Sequence, residues 1–307
     1  SNTYTVEGLI QGTNDTVTKV DGLATATDYS EYAYADHISN AQGTGLSNYD
    51  ITYQNGSLKI YKAYLTITGD SLNFKEYNGQ DQTNTYTVVG LLGKDKVNSV
   101  NGLAHSKDAS TVLDDNLSGA TGEGLGNYYI LYVNGTDFGV YPKDLNVNGV
   151  KSYDSTGSFS LKNLSLEGVL SQDANDIELT GDLMLSVSSV GDYNGLSVLR
   201  NTLSLSGSAS RNYHINNDRN YWWPYDVSLT ITPASLTVTG ANNRVTYNGS
   251  SQTNYGATIS GIQGSDRFTI SGYASGTDVG VYKDNLSVSG ESLGNYLVTY
   301  SNGQLQI

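Results

Sequence analysis

The dipeptide Asn-Tyr stands at Asn48-Tyr49, Asn127-Tyr128, Asn212-Tyr213 and Asn295-Tyr296, with spacings of 79, 85 and 83 residues. A near-constant period constrains the fold more than any local propensity, because each copy has to be a version of one structural unit. Other markers keep their order within it. A run ends in Gly plus an aliphatic residue in YTVEGL (4–9), YTVVGL (86–91), LSLEGV (164–169) and ATISGI (257–262). A Tyr-Asn-Gly turn or a variant of it follows a short alternating run at Tyr77-Asn78-Gly79, Tyr153-Asp154-Ser155 and Tyr247-Asn248-Gly249. A Val-Gly-x-Tyr segment occurs at 190–193 and 279–282. Boundaries at Lys62/Ala63, Pro142/Lys143 and Pro233/Ala234 divide the chain into copies 1–62, 63–142, 143–233 and 234–307. Units of this size should each own a core. Joints of nearly zero length, two of them stiffened by Pro, predict a semi-rigid tandem rod. The first copy opens at Asn2-Thr3-Tyr4-Thr5-Val6, the counterpart of Asn84-Thr85-Tyr86-Thr87-Val88. It is therefore read as a truncated repeat without the opening strand and its turn, whether by natural cleavage or by a cut. The expectation is an exposed sheet edge along residues 4–8.

The class is all-β. Val, Ile, Thr and Tyr alternate with polar residues, 35 Gly and Asn-Gly pairs punctuate them, and helix formers are sparse. Alternation around Asn-Gly in NYDITYQNGSLKI, NYYILYVNGTDFGV and NYLVTYSNGQLQI predicts antiparallel hairpins with type I′ turns. Each module is expected to be a small β-sandwich (Ig-like), with a β-grasp-like unit as the alternative.

Composition removes several function classes. The net charge of −14 repels phosphate backbones and anionic membrane surfaces. Cys is absent, which excludes disulfides, thiol catalysis and zinc–thiolate sites. The three His (His37, His105, His214) are far apart, and no nucleophile–base pair emerges, so no enzyme is expected. No apolar run is long enough to span a membrane as a helix. No signal peptide or lipidation motif is visible, and the chain reads as a fragment of something longer.

The marker set resembles the YDG and MBG repeat modules of large bacterial surface and secreted adhesins. The third copy is closest to the YDG type, through Lys151-Ser152-Tyr153-Asp154, Leu164-Ser165-Leu166-Glu167-Gly168-Val169, Leu203-Ser204-Leu205-Ser206-Gly207 and Asn212-Tyr213. Ser155 stands where that motif has glycine. The second and fourth copies look more like MBG modules. The resemblance covers nearly the whole chain. It implies the stalk or binding region of a cell-wall-anchored or two-partner-secreted adhesin, outside the cell or on its surface, and does not imply a ligand.

Two groups of residues are candidates for chemistry. Each loop after a Gly-Leu marker carries an Asp: Asp15, Asp95, Asp173 or Asp176, and Asp266. Repeated carboxylates suggest calcium, which takes six to eight oxygens, and Asp173, Asp176 and Asp182 form the densest acidic stretch. The expected role is nonetheless an Asx-turn, with the carboxylate accepting a backbone N–H. The Asn-Tyr pair is read as structural: Tyr as a tyrosine corner and Asn as a cap on the preceding turn. The second group is unique to one copy. Where other copies have Tyr-x-Asn-Gly, the third has NYHINNDRNYWWPYDVSLTI (212–231). Tyr221, Trp222, Trp223 and Tyr225 would supply stacking faces, and Arg219 and Asp218 hydrogen-bonding groups, for a glycan or a protein surface. The competing expectation is a Trp that plugs an inter-domain joint. Lysines that could form intramolecular isopeptide bonds are Lys62, Lys143 and Lys283.

The functional expectation is a multivalent adhesin repeat region, monomeric and rod-like, binding host mucin, cell-surface glycans or proteins, or other bacteria. Its rivals are a passive stalk and a noncatalytic module of a secreted polysaccharide-processing enzyme.

Overall fold

The computed structural model describes residues 1–215 and 227–307. The chain is all-β. Among the described residues the helices are one-turn 3-10 segments of three residues each, and the strands form many small sheets. Contacts divide the chain into two units, Ser1–Lys75 with Asp81–Val140, and Glu76–Gln80 with Tyr141–Ile307. No described helix is long and apolar enough to cross a membrane.

One arrangement recurs. The opening strand Ala63–Gly69 alternates Leu65 and Ile67 inward, both fully buried, against Tyr64, Thr66 and Thr68. It pairs in parallel with Tyr128–Val133, from Tyr128↔Ala63 to Val133↔Thr68, and antiparallel with Tyr86–Val89. In the fourth repeat, Ala234–Thr239 sits in the same way between Tyr296–Ser301 and Thr258–Ser260, and Tyr296 faces Ala234 as Tyr128 faces Ala63. In the third, Lys143–Ser152 pairs antiparallel with Leu164–Glu167 and in parallel with Tyr213–Ile215 and Val227–Thr232. The opening strand is thus central and bonded on both edges, and burying each of its two aliphatic side chains stabilises the repeat by about 1.5–3 kcal/mol.

The Gly of the Gly-Leu marker ends the antiparallel neighbour. Gly90 and Gly261 have φ of 106° and 92°, and a Cβ there would lie 2.4 Å and 2.1 Å from the opening-strand carbonyls of Tyr64 and Ser235. The positive φ and the close backbone both demand glycine.

The expected Asn-Gly hairpins do not form. The run after Asn134-Gly135 crosses to another sheet, where Gly139–Tyr141 pairs with Phe74–Glu76. Gln304–Gln306 likewise pairs with Asn242–Arg244 and Val281–Lys283. The Asn side chain anchors the chain instead. Asn55, Asn134 and Asn302 accept the N–H of Ile38, Leu117 and Leu286 at 2.8, 2.8 and 3.0 Å. The following Gly lets a buried carboxylate approach. Asp115 accepts hydrogen bonds from Gly135 N at 3.1 Å, Ala104 N at 2.7 Å and Asn84 Nδ2 at 3.0 Å. Asp284 repeats the set with Gly303, Ala274 and Asn254. Asp36 keeps the bonds from Ala24 N and Asn2 Nδ2. Hairpin propensity is a local preference, and a buried carboxylate with three donors outweighs it.

Among the described residues of the third repeat there is no such Asp–Asn pair. Buried Lys151 takes its place, donating to Asp154 Oδ1, Thr156 O and Ser158 O at 2.7–2.8 Å. Ser155 holds φ +64°, close to Gly79 at +77° and Gly249 at +75°, so the variant turn keeps the conformation of the glycine version.

Candidate functional site

The loop Asp and the Asn-Tyr tyrosine, read separately in the sequence, meet in every repeat. The phenols of Tyr49, Tyr128, Tyr213 and Tyr296 donate to Asp15, Asp95, Asp173 and Asp266 at 2.7, 2.7, 2.6 and 2.6 Å. Each phenol oxygen also accepts a backbone N–H just past the Gly-Leu marker, from Ile10, Leu92, Leu170 or Gln263. The tyrosine corner is present, but the expected Asx-turn is not the carboxylate's role: its partner is the phenol.

Within the second unit this pair accepts another tyrosine. Tyr77, from the Tyr-Asn-Gly turn of the second repeat, is 2% exposed and donates to Asp173 Oδ2 at 2.8 Å. Its ring meets Tyr213 edge-on at 5.4 Å. Tyr153, from the turn of the third repeat, donates to Asp266 Oδ2 at 3.0 Å and meets Tyr296 edge-on at 5.4 Å. One carboxylate oxygen thus holds two phenols, and edge-to-face rings add to the burial. Tyr247, in the same turn of the fourth repeat, is 54% exposed. The Asn of Asn-Tyr joins as well. Asn127 accepts the N–H of Tyr29 at 2.7 Å and donates to Asp28, and Asn295 accepts the N–H of Val190 at 2.9 Å. It links one repeat to the one before it, where a cap on its own turn was expected.

The electrostatics follow from this geometry. Burial, reinforced by the bond to Asp266, pushes the Tyr296 phenol up to about 12. Burial and the bond to a carboxylate also raise Tyr77, Tyr128, Tyr153 and Tyr213. Burial works to raise Asp266, but hydrogen bonds from Tyr296, Ser292 and Tyr153 outweigh it and hold the carboxyl below its ordinary value.

The candidate calcium ligands are not gathered. Asp173 is engaged by two phenols, Asp182 faces Arg200 at 3.5 Å, and Asp176 contributes backbone groups to a turn. Among the described residues no group of three or more His, Cys, Asp or Glu could hold a metal. Of the candidate isopeptide lysines, Lys143 is ion-paired with Glu76 at 2.8 Å, Lys62 lies over the rings of Tyr29 and Tyr129, and Lys283 is exposed.

Asp218, Arg219, Tyr221, Trp222, Trp223 and Tyr225 lie outside the described residues. Their flanks are described. Leu145 pairs with Ile215 and Val147 with Val227, so the strands on either side of the Trp segment meet the opening strand two residues apart.

A second feature belongs to the first repeat. A groove of about 610 Å³ opens between Tyr4–Gly8 and Tyr49–Gln54, floored by Val17, Val20 and Ile38. Sequence reasoning pointed to an edge here, but the depth of the groove follows only from packing.

No family model, curated protein or solved structure matches this chain.

Proposed function

We propose that this chain is a repeat region of a bacterial cell-surface or secreted adhesin, a noncatalytic array that displays weak binding sites many times. Multivalent display raises avidity without tight single sites, and partners would be host mucin, cell-surface glycans or proteins, or other bacteria. The observation that carries this reading is the treatment of the Trp segment. In the third repeat Tyr213–Ile215 and Val227–Thr232, on either side of the Trp segment, both pair in parallel with Lys143–Ser152. The aromatic residues unique to this copy fall in sequence between two strands that share one neighbour, as suits residues serving something other than the fold.

The two carboxylate-bridged tyrosine joints support a tandem array in which the turn of one module meets the corner of the next. The parallel pairing of opening and closing strands favours the β-grasp-like alternative, since an Ig-like sandwich is antiparallel throughout. These joints also support the second reading, a passive stalk displaying a head located elsewhere.

Trp222→Ala and Trp223→Ala, made separately, test the proposal. Loss of adhesion to mucin or glycan arrays at unchanged melting temperature is expected for at least one. Adhesion by both variants equal to that of the parent protein refutes the Trp segment as the site and leaves the stalk. A core Trp would instead cost about 3–5 kcal/mol of stability.

A further inference from the structure

The three-stranded sheet of the second repeat turns one side to the core and exposes the other. We propose that this outer face binds a glycan chain, with the apolar faces of its pyranose rings on Tyr64 and Tyr129. The face uses no residue of the Trp segment, so this goes beyond the adhesin reading and stands or fails independently of it.

Period two builds the face. Leu65 and Ile67 point inward from Ala63–Gly69, so Tyr64, Thr66 and Thr68 point outward. Strand register then fixes the rows. Tyr64 stands beside Tyr129 of the closing strand. Thr66 stands between Leu131 and Val89, and Thr68 between Val133 and Thr87. Tyr64, Tyr129, Leu131 and Val89 are 79%, 56%, 58% and 68% exposed. The two rings lie 5.8 Å apart at 35°, forming one broad aromatic step. Lys62 Nζ lies 5.6 Å from the centroid of the Tyr129 ring. A ring already held by its neighbours loses less freedom when a ligand arrives.

The other copies serve as controls. In the fourth repeat the same rows read Ser235 beside Leu297, Thr237 between Thr299 and Ser260, and Thr239 between Ser301 and Thr258. There the Thr237 and Thr299 hydroxyls bond each other at 3.2 Å. In the third, His214 meets Asp144 at 3.1 Å, and Asn148 donates to Glu167 at 2.9 Å. The first carries Asp50, Thr52 and Gln54 where the second has Tyr129, Leu131 and Val133. The fold thus accepts polar side chains at these positions. The aromatic and aliphatic ones of the second repeat serve something other than the sheet, and an exposed apolar patch marks an interaction site.

Size and charge choose the occupant. Three strands about 4.8 Å apart and three rows about 6.8 Å apart make a patch of roughly 300 Å² once side-chain width is added. A stable dimer or a folded partner needs about 800 Å² on each side, so the patch alone holds neither. No residue in the three rows is charged, which leaves a phosphate or carboxylate nothing to pair with there. Lys62, at the edge, already lies over the rings of Tyr29 and Tyr129. An extended peptide would need free backbone groups, and Ala63–Gly69 pairs with a neighbour on either side. A neutral sugar chain meets every condition. It is narrow, its C–H faces suit the two rings, and its hydroxyls suit those of Thr66, Thr68 and Thr87.

The test uses the whole protein and three soluble hexasaccharides, of β-linked glucose, β-linked N-acetylglucosamine and α-linked mannose. The ring-proton resonances of Tyr64 and Tyr129 should shift and saturate on titration with at least one of them. Tyr64→Ala and Tyr129→Ala should each weaken binding about tenfold, as for the loss of one stacking ring. Their melting temperatures should not change, because both rings are exposed. Tyr64→Phe keeps the ring and should bind like the parent. Leu131→Thr, which copies Thr299 of the fourth repeat, should weaken binding in a folded protein. The proposal is overturned if none of the three probes shifts the two rings at millimolar concentration, or if both alanine variants bind as tightly as the parent. Loss of the shifts in Trp222→Ala overturns it in favour of the Trp segment. Self-association seen by light scattering and abolished by Leu131→Thr overturns it in favour of a second copy.

Discussion

Tyr153 and Asp266 are 113 residues apart in sequence, yet the phenol of one donates a 3.0 Å hydrogen bond to the carboxylate of the other. The same oxygen takes the phenol of Tyr296 at 2.6 Å, and Asp173 holds Tyr77 and Tyr213 in the same way. A turn from one repeat is thereby locked into the corner of the next by one charge that both share.

Tyr153→Phe should destabilise the protein by about 1.5–3 kcal/mol, the range for a hydrogen bond to a charged group. Asp266→Ala should cost more, because Tyr153, Tyr296 and Ser292 all lose their acceptor. Urea unfolding of both single variants and the double variant measures the coupling. Additive losses would show that the contact carries no joint energy.

The joint should weaken at both extremes of pH. Tyr296 is raised from 10.0 to about 12, so its contribution is complete below pH 10 and is lost as pH rises toward 12. Asp266 is lowered from 3.8, so its contribution is complete above that value and is lost as pH falls through its folded value. Melting temperature against pH should decline outside these limits. Replacing Tyr296 with Phe should flatten the alkaline decline of the second unit; an unchanged alkaline limb would refute the assignment.

The buried Asp of the polar core should tolerate change poorly. Asp284→Ala leaves Ala274 N, Gly303 N and Asn254 Nδ2 without their acceptor in a closed environment. A loss of about 3–5 kcal/mol is expected, as for a broken buried charge network. Asp115→Ala should behave alike in the second repeat. Hydrogen exchange resolves which repeat opens, and protection lost only outside the targeted repeat would contradict the account.

Ser155→Gly should stabilise the third repeat by roughly 0.5–1 kcal/mol. Ser155 has φ +64°, where a Cβ is strained and glycine is not. Thermal denaturation measures it; a lower melting temperature would mean that the Ser side chain contributes more than its strain costs.

The repeat period, the all-β class and the positions of the opening strands were legible in the sequence. All three rest on local facts: side chains alternating at period two, and glycine where φ is positive. The marker Gly90 and the strand Ala63–Gly69 could be read residue by residue for that reason. Asn134-Gly135 shows the limit. Its local preference is a hairpin, but three donors converge on buried Asp115 and the chain crosses to another sheet. That convergence joins residues 84, 104, 115 and 135, and no window of sequence contains it. The joints are of the same kind. Asp, Tyr and the Tyr-Asn-Gly turn were each visible as recurring residues, and only packing brought two phenols to one carboxylate, because burial leaves a charge few other ways to be satisfied. In the first repeat the correspondence of residues 2–6 with 84–88 was legible, while the groove was not. Its walls are held in place because Asp36, Asn55 and Tyr53 tie the chain behind them.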